Sequence, residues 1–280
     1  MAEKTQGTSA AAGRPQKRKP RAGSRRAKMQ RRQFLLTLLA GASITGLSLT
    51  GYIPIMTHAR AENRLRPPGA IEEREFLAAC IKCGQCVQVC PVQAIRLADI
   101  DDGFGNGAPY LMAREQACDF SCDAVQCVLA CPTGALSHHI DKKEQVKMGY
   151  ALLTHPETCL ALKGLGFKGT ARGRDFEGLH RYVKVDRWNP IRIADHPYDV
   201  ELCDLCVREC PIKGAIELQP VSDDPNDKRR VPVITEKCVG CGMCEMICPA
   251  EPPSLEIIPR LTWEQARAKQ DEILKKVKGA

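Results

Sequence analysis

Sixteen cysteines are the residues of this 280-residue chain whose type and spacing could do chemistry. Thiols at such a density form disulfides, bind zinc or hold iron-sulfur clusters, and their spacing separates these uses. Cys80, Cys83, Cys86 and Cys90 form a C-x2-C-x2-C-x3-C-P run. In this spacing three thiolates hold one cluster and the fourth holds a neighbouring cluster. The run therefore predicts paired [4Fe-4S] clusters.

Three further runs end in the same C-x3-C-P, and the last of them repeats the first spacing completely. The second is looser, and the third has its first cysteine 44 positions upstream of the next. Four runs predict four [4Fe-4S] clusters with all sixteen cysteines as iron ligands. The further runs are Cys118, Cys122, Cys127 and Cys131; Cys159, Cys203, Cys206 and Cys210; and Cys238, Cys241, Cys244 and Cys248.

Cys159 is assigned to the third run because the sequence interval between successive runs is constant. The intervals from Cys90 to Cys118, from Cys131 to Cys159 and from Cys210 to Cys238 are all 28 positions. Residues 160–202 are then an insertion within the third ligand loop. Their role is open, and contact with a redox partner is one interpretation for the basic and aromatic stretch 172–192.

The segments after the runs indicate which elements position the cysteines. P-V-Q-A-I, P-T-G-A-L and P-I-K-G-A-I are similar, and each predicts a helical turn followed by a short strand. We expect an α+β fold of tandem ferredoxin-like modules, built from small βαβ-type units with long loops. Residues 62–145 would form one module, residues 146–260 the other, and residues 261–280 a C-terminal helix.

Two pairings of the runs are compatible with this spacing. In the nested one, the first run exchanges ligands with the fourth, and the second with the third. In the adjacent one, which we favour, neighbouring runs exchange their last cysteines, and the resulting sets are numbered here as quartets. The first quartet is Cys80, Cys83, Cys86 and Cys131; the second is Cys118, Cys122, Cys127 and Cys90; the third is Cys159, Cys203, Cys206 and Cys248; and the fourth is Cys238, Cys241, Cys244 and Cys210.

Other uses of the thiols fit the spacing less well. Every run ends in C-x3-C-P, and disulfide-bonded cysteines are not distributed in this way. Four-cysteine zinc sites consist of two C-x2-C pairs, not of runs that end in C-x3-C-P. His138 and His139 are interpreted as surface residues because cysteine already supplies four donors per cluster. The chain shows no nucleophile-base pair, phosphate loop or dinucleotide fingerprint, so we expect an electron-transfer protein and not an enzyme.

Residues 1–61 resemble a twin-arginine (Tat) signal peptide. Arg31 and Arg32 precede Phe34 and Leu35, and an apolar run leads to an A-x-A cleavage site whose small residues are Ala59 and Ala61. This pathway suits clusters that are inserted in the reducing cytoplasm before export. We expect cleavage, although an uncleaved run would tether the protein to the membrane.

The excess of basic over acidic side chains is confined to this leader. Residues 1–61 hold twelve of the 41 lysines and arginines but one acid, which leaves 29 basic and 32 acidic side chains after residue 61. A nucleic-acid interface is therefore not expected.

The chain resembles the NapG/MauM family of periplasmic ferredoxin-type proteins. Besides the runs, the resemblance rests on R-L-R-P-P-G-A-I at residues 64–71, C-G-Q-C-V-Q at 83–88, Met148-Gly149 and C-D-L-C at 203–206. The insertion after Cys159 departs from the family pattern, in which the equivalent cysteine lies a few residues before the next pair.

The resemblance implies a periplasmic polyferredoxin associated with the inner membrane through a partner. It would carry electrons from a membrane-bound quinol-oxidising ferredoxin-type protein to a periplasmic redox acceptor, in nitrate reduction or methylamine utilisation. The Tat translocase would be its export partner. The alternative is a fixed four-cluster electron-transfer subunit of a membrane-associated molybdoenzyme complex.

Overall fold

The structure is a computed structural model that describes residues 33–46, 64–99, 105–122, 124–186 and 188–278. The chain divides into two compact units, Met1–Pro54 and Ile55–Ala280. In the first, helix α1 covers residues 33–46 and is exposed along its length. No helix in the described ranges is long and apolar enough to cross a membrane.

Helix α1 contains two of the predicted signal residues, Phe34 and Leu35. The other predicted signal residues lie outside the described ranges; they are Arg31, Arg32, Ala59 and Ala61.

The described part of the second unit contains four helices of a single turn and two longer ones. Each single-turn helix begins one residue before the third cysteine of a run and ends two residues before the fourth. The helices are α2 (Glu73–Ala79), α3 (Gln85–Gln88), α4 (Gln126–Leu129), α5 (Leu205–Arg208), α6 (Met243–Met246) and α7 (Trp263–Lys278).

The strands form two-stranded antiparallel sheets, with β1 on β2, β3 on β10, β4 on β7, β5 on β6 and β8 on β9. Their bounds are β1 (Ile95–Leu97), β2 (Pro109–Leu111), β3 (Gly149–Leu153), β4 (Phe167–Gly169), β5 (Leu179–His180), β6 (Ile191–Arg192), β7 (Tyr198–Val200), β8 (Ile216–Pro220), β9 (Arg230–Ile234) and β10 (Leu255–Pro259).

Two halves of the second unit repeat one arrangement. In the later half, β3 precedes the third run, the β8–β9 hairpin separates the third and fourth runs, and β10 returns to pair with β3. In the earlier half, the β1–β2 hairpin separates the first two runs, and the outer pairing is a single bridge between Ala70 and Leu136. The sequence repeat is thus a structural repeat.

Two predictions about local structure were wrong: the place of the helical turn and the βαβ character of the units. The helical turn lies inside each run, because a three-residue spacer fits one helical turn and the following proline lacks an N–H donor to extend it. The units are also not βαβ crossovers, since a crossover joins parallel strands and the described strand pairs are antiparallel. A strand follows the first, third and fourth runs, whereas the second is followed by the bridge at Leu136.

The buried apolar side chains surround the cysteine runs and form one connected cluster. Phe76, Val128, Met243 and Ile247 are fully buried within it. Helix α7 covers the later half, with the ring of Trp263 5.7 Å from that of Tyr150. The core therefore encloses the ligand loops from several sides.

Candidate iron-sulfur sites

The first quartet lines one cavity. Cys80, Cys83 and Cys86 come from the first run, and Cys131 reaches the same cavity from the end of the second. Phe76 and Leu136 close its apolar wall. The last cysteine of the second run thus lies beside the first three cysteines of the first run.

The third quartet also lines one cavity, although Cys159 and Cys203 are 44 positions apart. The insertion leaves and returns at nearly the same point, because β4 pairs with β7 and the amide of Cys203 donates to the carbonyl of Leu165 at 3.0 Å. Cys248 reaches this cavity from the end of the fourth run.

The second quartet is assembled in the same way. Cys127 lies on α4, and burial together with the negative charges of Cys122 and Cys90 raises the pKa of its thiol to about 12. Cys118 is buried, and this burial raises the pKa of its thiol well above the ordinary value. Because Cys90 comes from the first run, the two earlier runs exchange their last cysteines.

The fourth quartet is the most enclosed. Cys238, Cys241 and Cys244 are all buried, and Cys210 is half-buried. Burial raises the pKa of Cys241, and the nearby charges of Cys210 and Cys238 raise it further. In each set, the last cysteine of one run lies near cysteines of the neighbouring run, which is the proximity that the adjacent arrangement requires.

The quartets provide donors suited to iron-sulfur clusters. All sixteen cysteines are free, and burial raises most of the shifted thiol pKa values above their ordinary range. Cationic iron would offset the charge that burial disfavours, so cluster insertion would release protons. In the described ranges, no three His, Cys, Asp or Glu side chains are placed to hold one metal ion.

The turn after each C-P offers backbone donors to the last cysteine of its run. The amide of Ala94 donates to Sγ of Cys90 at 3.3 Å, and that of Ser254 donates to Sγ of Cys248 at 3.4 Å. Burial raises the pKa of Cys131, but backbone donors led by Leu136 lower it overall. Such donors stabilise thiolate charge and tune a bound cluster. The similar segments after C-P were the sequence signal for this role.

The insertion faces inward, which the sequence did not indicate. The guanidinium of Arg172 donates to the carbonyls of Arg114 at 2.7 Å and Met246 at 3.3 Å. The guanidinium of Arg181 donates to the carbonyl of Ser121 at 2.6 Å. These two basic side chains therefore hold the insertion against the ligand loops, whereas Trp188 is 75% exposed.

A buried histidine links the insertion to two cysteine runs. Nε2 of His180 lies 3.0 Å from Oε2 of Glu209, which precedes Cys210, and Nδ1 lies 3.6 Å from Oδ2 of Asp119, which follows Cys118. Although burial lowers the pKa of His180, the two carboxylates raise it overall. No sequence pattern indicated this cluster, because its members are far apart along the chain.

The fold and the cysteine sites are those of a ferredoxin-type iron-sulfur protein, a class whose clusters transfer electrons. A family profile described as "4Fe-4S dicluster domain" matches residues 79–135 and 201–251. Cys159 lies outside both matches.

Curated relatives identify the family more closely. Ferredoxin-type protein NapG of Escherichia coli K12 is 36% identical over 245 residues, which cover 84% of this chain and 89% of that protein. Methylamine utilization ferredoxin-type protein MauM of Methylorubrum extorquens is 33% identical over 234 residues, covering 82% and 89%. MauM of Paracoccus denitrificans is 35% identical over 221 residues, covering 78% and 81%. No solved structure matches significantly. The chain belongs to the NapG/MauM family of ferredoxin-type proteins.

Proposed function

We propose that this protein is a periplasmic polyferredoxin in which each quartet holds one [4Fe-4S] cluster. It passes electrons from a membrane-bound quinol-oxidising ferredoxin-type protein to a periplasmic redox acceptor. The observation that carries the proposal is the exchange of last cysteines between neighbouring runs, which completes four-thiol sets in both halves. The two matches to a dicluster domain support the count of four.

The chain's own groups would set the redox behaviour of the sites. Each bound cluster supplies a one-electron redox centre. The cysteine thiolates hold the iron, and the amides of Ala94 and Ser254 stabilise negative charge on Cys90 and Cys248. Apolar walls such as Phe76 and Leu136 limit water at the first quartet. Differences in exposure among quartets give the protein a means to set different potentials.

The leader supports a periplasmic location and the Tat translocase as export partner. Arg31 and Arg32 stand directly before the apolar run, as a twin-arginine signal requires. Replacing both arginines by lysine is expected to leave the cluster-loaded protein in the cytoplasm, which cell fractionation measures. Undiminished export of this double variant would contradict the proposed route.

Iron and acid-labile sulfide analysis tests the cluster count. Protein purified without oxygen is expected to contain about 16 iron and about 16 sulfide per chain. About eight of each would support two clusters and contradict the proposal. Co-purification with a catalytic subunit in fixed stoichiometry would instead favour the molybdoenzyme-subunit alternative.

A further inference from the structure

We infer that the quartets form a relay in the order first, second, fourth, third, with the second and fourth quartets meeting where the two halves join. This inference rests on the proposed four clusters and specifies their path. It differs from the order of the runs along the chain, and it makes the first and third quartets the two ends.

Backbone contact joins the second quartet to the fourth. The amide of Cys118 donates to the carbonyl of Cys241 at 3.1 Å, and both side chains are buried. The amide of the preceding residue, Ala117, donates to Sδ of Met246 at 3.1 Å. The peptide of one ligand is thus bonded directly to the peptide of the other, with no side chain between them.

Small residues permit this approach. A Cβ atom at Gly242 would lie 2.5 Å from Cβ of Ala113 and 3.5 Å from that of Ala117. Gly242 also has a φ of +86°, a left-handed conformation that favours glycine. Any larger side chain at position 242 would force the two ligand loops apart.

Within the later half, the fourth quartet adjoins the third. Cys244 belongs to the fourth quartet, yet it lines the cavity formed by the third. Helix α6, which carries Cys244, packs against α5, which carries Cys206. In the earlier half, α3 and α4 pack in the same way and carry Cys86 and Cys127 of the first and second quartets.

The third quartet is separated from the earlier half by a side chain. Arg114 extends its guanidinium to the carbonyl of Cys248 at 2.9 Å and to that of Glu245 at 2.6 Å. A long side chain therefore spans this gap, whereas the second and fourth quartets meet through their backbones. Electron transfer should favour the shorter junction.

Exposure distinguishes the first quartet as an end. Of the sixteen cysteines, all within the described ranges, Cys83 alone is exposed. Its neighbour Ile81 is 63% exposed. By contrast, three of the four cysteines in the fourth quartet are buried. The loop 81–83 is thus the place where a redox partner could approach most closely.

Magnetic coupling between reduced clusters tests the order. In Cys241→Ala, which removes a ligand of the fourth quartet, electron paramagnetic resonance should show the first and second clusters coupled and the third isolated. In Cys206→Ala, which removes a ligand of the third, the first, second and fourth should remain coupled. A third cluster that stays coupled to the second in Cys241→Ala would overturn the inferred order.

Iron content separates this outcome from failure of the cluster count. Each alanine variant should retain about 12 iron when wild-type protein holds about 16. If the alanine variants do not fold, serine can replace cysteine and keep an oxygen ligand to the iron. Cys83→Ser should then shift the electron paramagnetic resonance spectrum of the first cluster, and Cys241→Ser that of the fourth. A soluble gadolinium chelate should then speed relaxation most at the first and least at the fourth, and the reverse ranking would refute the inference.

Discussion

The side-chain amide of Gln116 pairs with the backbone of Leu179 as a neighbouring strand would. The Leu179 amide donates to Oε1 of Gln116 at 2.7 Å, and Nε2 of Gln116 donates to the Leu179 carbonyl at 2.8 Å. Gln270 pairs with Ile234 in the same manner, at 2.7 and 3.0 Å. Two buried glutamines therefore fasten the insertion and helix α7 to their neighbours.

Gln116→Ala is expected to loosen the insertion. It leaves both backbone groups of the half-buried Leu179 without this partner, and an unsatisfied group costs about 1–3 kcal/mol when it is fully buried. We expect a lower temperature for loss of cluster absorbance and faster trypsin cleavage within residues 172–192. Glu177→Ala, at an exposed position of the same segment, is the control and should leave both unchanged. Equal protection in the two variants would contradict the role given to Gln116.

Glu73→Gln is expected to destabilise the second unit strongly. Glu73 lies between two guanidinium groups, with an oxygen 2.5 Å from Arg66 and another 2.6 Å from Arg260. Neutralising the buried carboxylate leaves the charge of Arg66 uncompensated, a change that costs about 3–5 kcal/mol in buried pairs. Denaturant midpoints followed by circular dichroism measure the loss. Glu75→Gln, on the exposed face of the same helix, is the matched control.

The sequence predicted which cysteines lie close together far better than it predicted the packing around them. Spacing alone assigned Cys159 to the third run, and the structure places it beside Cys203 and Cys206. Ligand spacing is a local property, because the short loop that a run forms depends on the residues within it.

The position of the insertion required long-range information. Arg181 and Asp119 are 62 positions apart, and the Arg181 amide donates to Oδ2 of Asp119 at 2.9 Å. Nothing in the local sequence around either residue identifies the other as its partner. The basic composition of residues 172–192 was therefore interpreted as a surface for a redox partner. The choice between adjacent and nested pairing was open for the same reason, since equal intervals do not specify which loops meet.

Removing the iron is expected to unfold much of the second unit. The cavities of the first and third quartets are lined by cysteines that belong to the apolar core or pack against it, so without clusters they would leave unfilled space beside buried thiols. Binding energy for the metal is then part of the folding energy. Anaerobic chelation should abolish near-ultraviolet circular dichroism and open trypsin sites in both halves. A chelated protein that stays protected, with thiols still reduced, would show that the core folds without its clusters.

Gly240→Ala should remove one cluster, whereas Gly134→Ala should not. Both glycines have left-handed backbones, with φ of +74° and +72°, so alanine costs about 1–2 kcal/mol at either. The difference is steric: a Cβ at Gly240 would lie 2.5 Å from the carbonyl oxygen of Gly149, whereas nothing lies within 4 Å of one at Gly134. The clash would displace the loop between Cys238 and Cys241 from β3. We expect Gly240→Ala to lose about four iron per chain and Gly134→Ala to retain all. Equal iron content in the two variants would mean that backbone conformation alone, and not this close approach, limits both positions.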